Sequence, residues 1–262
     1  DVYAGGTFTS IGGQSRNRIA KLNNIDGSAD IIWNPNSNGQ IISIVLSSSY
    51  VYIGGRFSEI GGESRNQIAR VNLTDGAADL SWDPNAGGDV FSIAINGDDI
   101  YAGGSFFSFG GKTRNNIAKL NNTSGQLDLN WNPNSNNIIK TITVSGEDIF
   151  VGGTYTSIGG QSRNRIAKLN NITGAADINW NPDANSFIYS LNISGNEIYA
   201  GGLFTSIGGQ SRNYIAKLNN TTGQADLNWN PSPNNFVYGT IVNGNDVYAG
   251  GTFTSIGGQS RN

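Results

Sequence analysis

Five tryptophans, Trp33, Trp82, Trp131, Trp180 and Trp229, stand 49 residues apart, and the sequence around each repeats with them. The first 17 residues, DVYAGGTFTSIGGQSRN, return unchanged as residues 246–262, so the chain is five repeats and a 17-residue overlap. A period of 49 is too long for a leucine-rich horseshoe or one coil of a linear β-solenoid. It lies close to the roughly 40–50 residues of units that stack radially. Each repeat must then be one supersecondary unit whose apolar surface is buried by its neighbours.

The repeat that begins at Gln40 reads as short strands joined by turns. Ile41–Leu46 is apolar, three serines follow, and Tyr50–Ile53 is apolar again. Other repeats place Asn96-Gly97-Asp98 or Ser145-Gly146-Glu147 at that break, which is hairpin chemistry. A Gly-Gly pair closes the second run in every copy and signals a bulge or a close backbone approach. Ile60 to Asn66 reads as a polar loop, Gln67–Asn72 as a third strand, and Asp79–Trp82 as a fourth that ends at Pro84. No stretch has helical periodicity. Consecutive apolar residues such as Ile68-Ala69 fit strands covered on both faces. The expected fold is all-β: one domain over residues 1–262, a five-bladed β-propeller of four-stranded 49-residue blades.

The ends have their own expectation. The chain opens and closes on the second strand of a blade, so the closing blade should be shared. Its first strand would come from Phe236–Val242 and its third and fourth from Asn17–Trp33. Two identical copies then compete for the second strand, and one is surplus: free to hang loose, to pair with another molecule, or to belong to a longer array. With no methionine in the chain, the native start is expected outside this segment.

Composition excludes several functions. There is no cysteine and no histidine, which removes disulfides, Ser-His-Asp and Cys-His catalysis and ordinary zinc sites. A net charge of −3 and a pI near 4.9 argue against nucleic acid or an anionic membrane as partner. No apolar run approaches the ~20 residues of a membrane-spanning helix. No cofactor is expected, and the isolated acids Glu59, Glu63, Glu147 and Glu197 fall in loops and turns. An enzyme is not expected. Low charge with abundant Gly, Asn, Ser and Thr suits an extracellular or cell-surface protein of bacteria.

Several residues recur as candidates. Arg16, Arg65, Arg114, Arg163 and Arg212 follow the second strand, and Asp30, Asp79, Asp128, Asp177 and Asp226 open the fourth. The two series are expected to form one ion pair per blade. The alternative is a ring of arginines facing an acidic ligand. Lys21, Arg70, Lys119, Lys168 and Lys217 read as snorkelling strand edges. Arg16 with Asn17 and their counterparts, beside the Asn-Pro-Asn links, offer the amide and guanidinium groups that hold sugars. The five tryptophans read as core between blades. Two positions differ from repeat to repeat: Ile42, Phe91, Lys140, Tyr189, Tyr238, and Arg18, Gln67, Asn116, Arg165, Tyr214. Tyr189, Tyr214 and Tyr238 are expected to cluster on adjacent blades as a contact patch.

The strings VYAGGTFTSIGGQSRNRIAKLN and ADIIWNPN resemble the tandem propeller repeats of large secreted bacterial surface proteins. They are similar, more distantly, to the extracellular repeats of fungal cortical polarity-marker proteins. The resemblance covers all five repeats and implies the fold without supplying catalytic residues. A tachylectin-type sugar-binding ring is similar in blade count and size only. Two roles are thus expected: a non-catalytic module binding glycan or protein through its loop face, or a structural spacer that self-associates through the duplicated strand.

Overall fold

The computed structural model describes residues 1–261, and its regular elements are all β-strands. The chain divides into two compact units, Asp1–Leu129 and Asn130–Asn262. In the first, β1 (Val2–Gly5) pairs with β2 (Ile19–Leu22). A three-stranded meander follows: β3 (Gln40–Leu46), β4 (Tyr50–Arg56) and β5 (Ile68–Asn72). The next is β6 (Ala86–Asn96), β7 (Asp99–Phe109) and β8 (Ile117–Asn121).

The second unit repeats the motif twice. β9 (Ile139–Ser145), β10 (Asp148–Gly153) and β11 (Ile166–Asn170) form one meander. β12 (Ile188–Ser194), β13 (Glu197–Gly202) and β14 (Ile215–Asn219) form the other. The hairpin β15 (Val237–Asn243) and β16 (Asp246–Gly251) ends it. Every pairing is antiparallel. The middle strand of each meander is sandwiched: Ile149 to Gly153 are all buried, which is why the apolar run shows no alternation.

The expected fourth strand is absent as a strand. It shrinks to one bridge per repeat, Leu22↔Ala29, Val71↔Ala78, Leu120↔Leu127, Leu169↔Ala176 and Leu218↔Ala225. The cause is the aspartate one residue on. Asp30 Oδ1 accepts the amides of Ile32 (2.9 Å) and Trp33 (3.1 Å), a local turn that competes with the ladder. The loop after the second strand is, conversely, more ordered than expected. Ser157↔Ser162 and Ile158↔Gln161 pair around Gly159-Gly160, both at positive φ (61° and 77°), a two-residue hairpin.

The glycine pair works on both of its sides. A Cβ at Gly152 would lie 2.5 Å from Ile188 of the following meander, and one at Gly153 2.1 Å from the Ile138 carbonyl oxygen. Side-chain hydroxyls also tie successive first strands together within a unit. Thr141 Oγ1 accepts the Leu191 amide at 3.2 Å, and Ser190 Oγ accepts the Thr240 amide at 3.0 Å. In the first unit Ser43 Oγ takes the Ile93 amide at 3.1 Å.

The tryptophans occupy the core as expected. Trp33, Trp82, Trp131 and Trp180 are fully buried, and Trp229 is half-buried. Each of three reaches forward into the next repeat: the indole N–H donates to Asn72 O from Trp33, Asn170 O from Trp131 and Asn219 O from Trp180. Trp33, Trp82, Trp180 and Trp229 each also meet an aromatic ring of their own repeat edge-on, as Phe150 and Trp180 do at 5.3 Å.

The expected closing blade is not among the sheets. β1 and β2 form one two-stranded sheet and β15 and β16 another, so both copies of the 17-residue segment serve as second strands.

Candidate functional site

The arginine series is structural. Arg16, Arg65, Arg114, Arg163 and Arg212 are each 6% exposed. Arg163 Nη1 donates to Ser162 O and Nη2 to Asp177 O, both at 2.7 Å, and Arg212 repeats this with Ser211 and Asp226. The guanidinium therefore holds the aspartate's main chain, and the expected Arg–Asp carboxylate pair does not form. The carboxylate turns to the third strand instead. Lys21 meets Asp30 at 3.0 Å, Lys168 meets Asp177 at 3.1 Å, Arg70 meets Asp79 at 2.5 Å, Lys119 meets Asp128 at 3.6 Å, and Lys217 pairs with Asp226. The lysines are thus ion-pair partners rather than free edges. Arg70 does more: it lies 4.2 Å from the Tyr50 ring centroid and donates to the Asn122 carbonyl of the next repeat.

The carboxyls of Asp30, Asp79, Asp177 and Asp226 titrate low. Backbone amides of Ile32 and Trp33, then Lys21, hold Asp30 below the usual range. Lys217 does the same for Asp226. At Asp177 burial pushes upward and is outweighed by the Asn179 amide and Lys168. A carboxyl whose folded pKa lies below its unfolded value of about 3.9 contributes stability that is present above that value and lost as pH falls through the folded one. Lys168 is raised: burial lowers it, but hydrogen bonds to Asp177 and Asp148 win. Its contribution is present below about pH 10 and lost above. The thermal midpoint is expected to be level between these limits and to drop below about pH 4; a midpoint that rises on acidification would contradict this assignment.

The asparagines of the loop face are also largely engaged with one another. Asn17 Nδ2 donates to Asn36 Oδ1 at 2.7 Å, and Asn164 to Asp183 at 2.7 Å. Asn185 Oδ1 accepts the amides of Thr205 and Ser206. The amide and guanidinium set expected to meet a sugar is spent on joining loops to links.

The two variable positions have a property that the sequence did not disclose. Ile42, Phe91, Lys140, Tyr189 and Tyr238 each fall at the register shift of a first strand, the extra residue of a β-bulge. Arg18, Gln67, Asn116, Arg165 and Tyr214 all have positive φ, between 59° and 67°. Side chains larger than asparagine seldom accept that conformation, and such outliers gather where a surface is used. The repeats therefore vary where the backbone is irregular.

In the second unit those positions carry aromatic rings that meet. Tyr189 and Tyr238 lie 5.4 Å apart edge-to-face, Phe236 lies 6.5 Å from Tyr238, and Tyr214 packs on Phe236 at 5.5 Å. Tyr238 is 50% exposed and Phe187, one residue before β12, 37%. Tyr189 and Tyr214 are half-buried. Desolvation, then the neighbouring Tyr238, raises the Tyr189 phenol, so it stays neutral and keeps its hydroxyl. This joins Tyr189, Tyr214 and Tyr238 in one patch and adds Phe236; Phe187 is the counterpart of Phe236 one repeat earlier. Phe187 and Phe236 occupy a third variable position, which reads Gln40, Asp89 and Ile138 in the other repeats. That change of residue type was the signal for them.

Segments 2–30, 51–81, 98–130, 148–183 and 196–228 match a family described as a domain of unknown function (DUF5122) beta-propeller, and together they cover more than half the chain. The chain belongs to the DUF5122 β-propeller family. Among curated proteins nothing matches it. Two solved structures share its fold. The computationally designed Ika8 protein is 13% identical with a TM-score of 0.53, covering 87% of this chain and 74% of its own. BamB from Moraxella catarrhalis is 18% identical with a TM-score of 0.50; the match covers 88% of this chain and spans 60% of BamB. Each DUF5122 segment starts within one residue of the start of a second strand and ends near the tryptophan. The bulge residues Ile42, Phe91, Lys140, Tyr189 and Tyr238 lie outside all of them. What the family pattern covers here is the scaffold; the first strands differ.

In the first unit this DUF5122 chain presents charge at the corresponding places. Arg56 Nε bonds Asp89 Oδ2 at 2.6 Å and its guanidinium lies 5.5 Å from the Phe91 ring. Arg18 donates to Ser37 O at 3.0 Å. The variable positions thus carry Arg18, Gln67, Asp89, Phe91 and Asn116 in the first unit, and the tyrosines with Lys140 and Arg165 in the second.

Proposed function

We propose that this DUF5122 propeller is a non-catalytic binding module of a secreted or cell-surface protein, bacterial by the likeness of its repeats. It engages a glycan or a protein through the aromatic patch of Tyr189, Tyr214, Phe236 and Tyr238. The observation that carries this reading is the joining of exposed and half-exposed rings at bulged and left-handed positions. Tyrosine offers a flat apolar face and a hydroxyl at small entropic cost, the combination that suits the CH face and hydroxyls of a neutral sugar. The absence of histidine and cysteine supports a role without catalysis. The chain's net charge of −3 favours a neutral ligand over a nucleic acid.

The test is a panel of neutral oligosaccharides screened against the chain, followed by titration of any hit. Tyr238→Ala is expected to weaken binding by about thirtyfold, the effect of removing a central aromatic anchor of ~2 kcal/mol. Its cost in stability should stay within about 1 kcal/mol, because the side chain is half exposed. Binding that survives both Tyr238→Ala and Tyr189→Ala would move the site elsewhere.

A further inference from the structure

Arg56 stands where the other repeats have Thr, Ser or Leu, and Asp89 where they have Gln, Ile or Phe. The contact between them joins two successive repeats. Arg56 ends β4 and Asp89 lies in β6, each part of a three-stranded meander in the interior of the sequence. Their exposure therefore owes nothing to the ends of the chain.

Only the Nε side of this guanidinium is spent. Nε donates to Asp89 Oδ2 at 2.6 Å, and the group lies 5.5 Å from the Phe91 ring centroid. Among the described residues, neither the Arg56 Nη atoms nor Asp89 Oδ1 has a hydrogen-bond partner. Arg163 and Arg212 are the contrast, since both of their Nη atoms hold carbonyls. The Arg56 side chain is 53% exposed and that of Asp89 30%, and so open a pair contributes little to stability. Gln40 stands opposite Arg56 in the ladder and Ser105 opposite Asp89, which adds an amide and a hydroxyl. Phe91 is the extra residue of the β6 bulge, a device that re-aims a side chain.

We infer that Gln40, Arg56, Asp89, Phe91 and Ser105 form a second subsite, in the first unit, for a neutral sugar with two adjacent hydroxyls. The free Nη fork donates to one sugar oxygen, Asp89 Oδ1 accepts from the neighbouring hydroxyl, and Phe91 faces the apolar CH side. Charge decides between ligand classes. Asp89 already neutralises the guanidinium, so a carboxylate gains one attraction and meets one repulsion. A pair of hydroxyls makes two charge-assisted bonds and meets no repulsion. The same scaffold places serve the tyrosine patch, where Leu203, Phe236 and Tyr238 stand for Arg56, Asp89 and Phe91. The inference rests on reading the chain as a sugar binder, but on different residues.

The test uses the full chain carrying Tyr189→Ala and Tyr238→Ala, which silences the tyrosine patch. Mannohexaose is the neutral probe and hexagalacturonate its acidic control. Mannohexaose is expected to shift the Arg56 Nε–H and Phe91 ring signals in NMR, saturably, and hexagalacturonate to leave them in place. Arg56→Met and Asp89→Asn, added singly and read at Phe91, should each weaken binding about tenfold or more, the loss of a charge-assisted bond. Neither should move the thermal midpoint, since the pair is open to solvent. Three results would overturn the inference: no shift at Arg56 and Phe91, a preference for hexagalacturonate, or an Arg56→Met chain that loses stability and keeps its affinity. If the unsubstituted chain shifts Arg56 and Phe91 but neither Tyr189 nor Tyr238, the tyrosine site fails and this one stands.

Discussion

Trp180→Ala is expected to destabilise the second unit by about 3–5 kcal/mol, the range for emptying a large aromatic site in a packed core. The indole is fully buried and belongs to the cluster of Phe150, Ile166, Ile188, Ile198 and Phe204. It packs edge-on against Phe150, and its N–H donates to Asn219 O at 3.2 Å in the following repeat. The substitution therefore removes core volume shared by two meanders, together with a bond between them. Chemical denaturation provides the measurement, with Ile178→Ala as control. Ile178 lies two residues away and is 72% exposed, so its loss should stay within about 0.5 kcal/mol. Equal effects from the two would show that the repeating tryptophan does not serve as core.

Arg163→Met should cost about 3 kcal/mol, by a different route. The guanidinium is nearly buried and its two Nη atoms hold the carbonyls of Ser162 and Asp177, while its Nε finds no acceptor. Removing it orphans two backbone acceptors, each worth roughly 1–3 kcal/mol when left unsatisfied. Arg163→Lys should recover little, because one ammonium cannot reproduce a fork that spans two carbonyls. Asp177→Asn separates this account from an ion pair. Its carboxylate serves Lys168 and the Asn179 amide, so its effect should add to that of Arg163→Met. Strong coupling between the two substitutions would restore the ion pair and contradict the geometry.

The contrast between those residues shows what the sequence made legible. The 49-residue period, the hairpin turns and the recurrent tryptophans were readable because they depend on local chemistry and on burial that every repeat shares. The fate of Asp30 and Asp177 was not. Their carboxylates capture amides two residues on, which cuts the fourth strand to a bridge. Which cation reaches a carboxylate depends on strand register: Lys168 stands across from Phe150 in the ladder, and Arg163 sits in the loop. The asparagines of the loops looked available because composition does not reveal that Asn17 and Asn36 satisfy each other. The tyrosine patch was legible through variation among repeats, while the bulges and left-handed residues beneath it were not, since neither Tyr189 nor Tyr214 is a residue that signals such backbone. Closure through a shared blade is not shown: the two copies of the 17-residue segment stand in separate two-stranded sheets.

The central claim is that a constant scaffold presents a variable surface at its irregular backbone positions, and that the aromatic part of this surface binds. Isotope-labelled tyrosine rings, followed by NMR while a neutral oligosaccharide hit is added, test it most directly. The account predicts that Tyr189, Tyr214 and Tyr238 shift together while the buried rings of Tyr52, Tyr101 and Tyr155 stay still. Saturable binding that leaves Tyr189, Tyr214 and Tyr238 unmoved would contradict it.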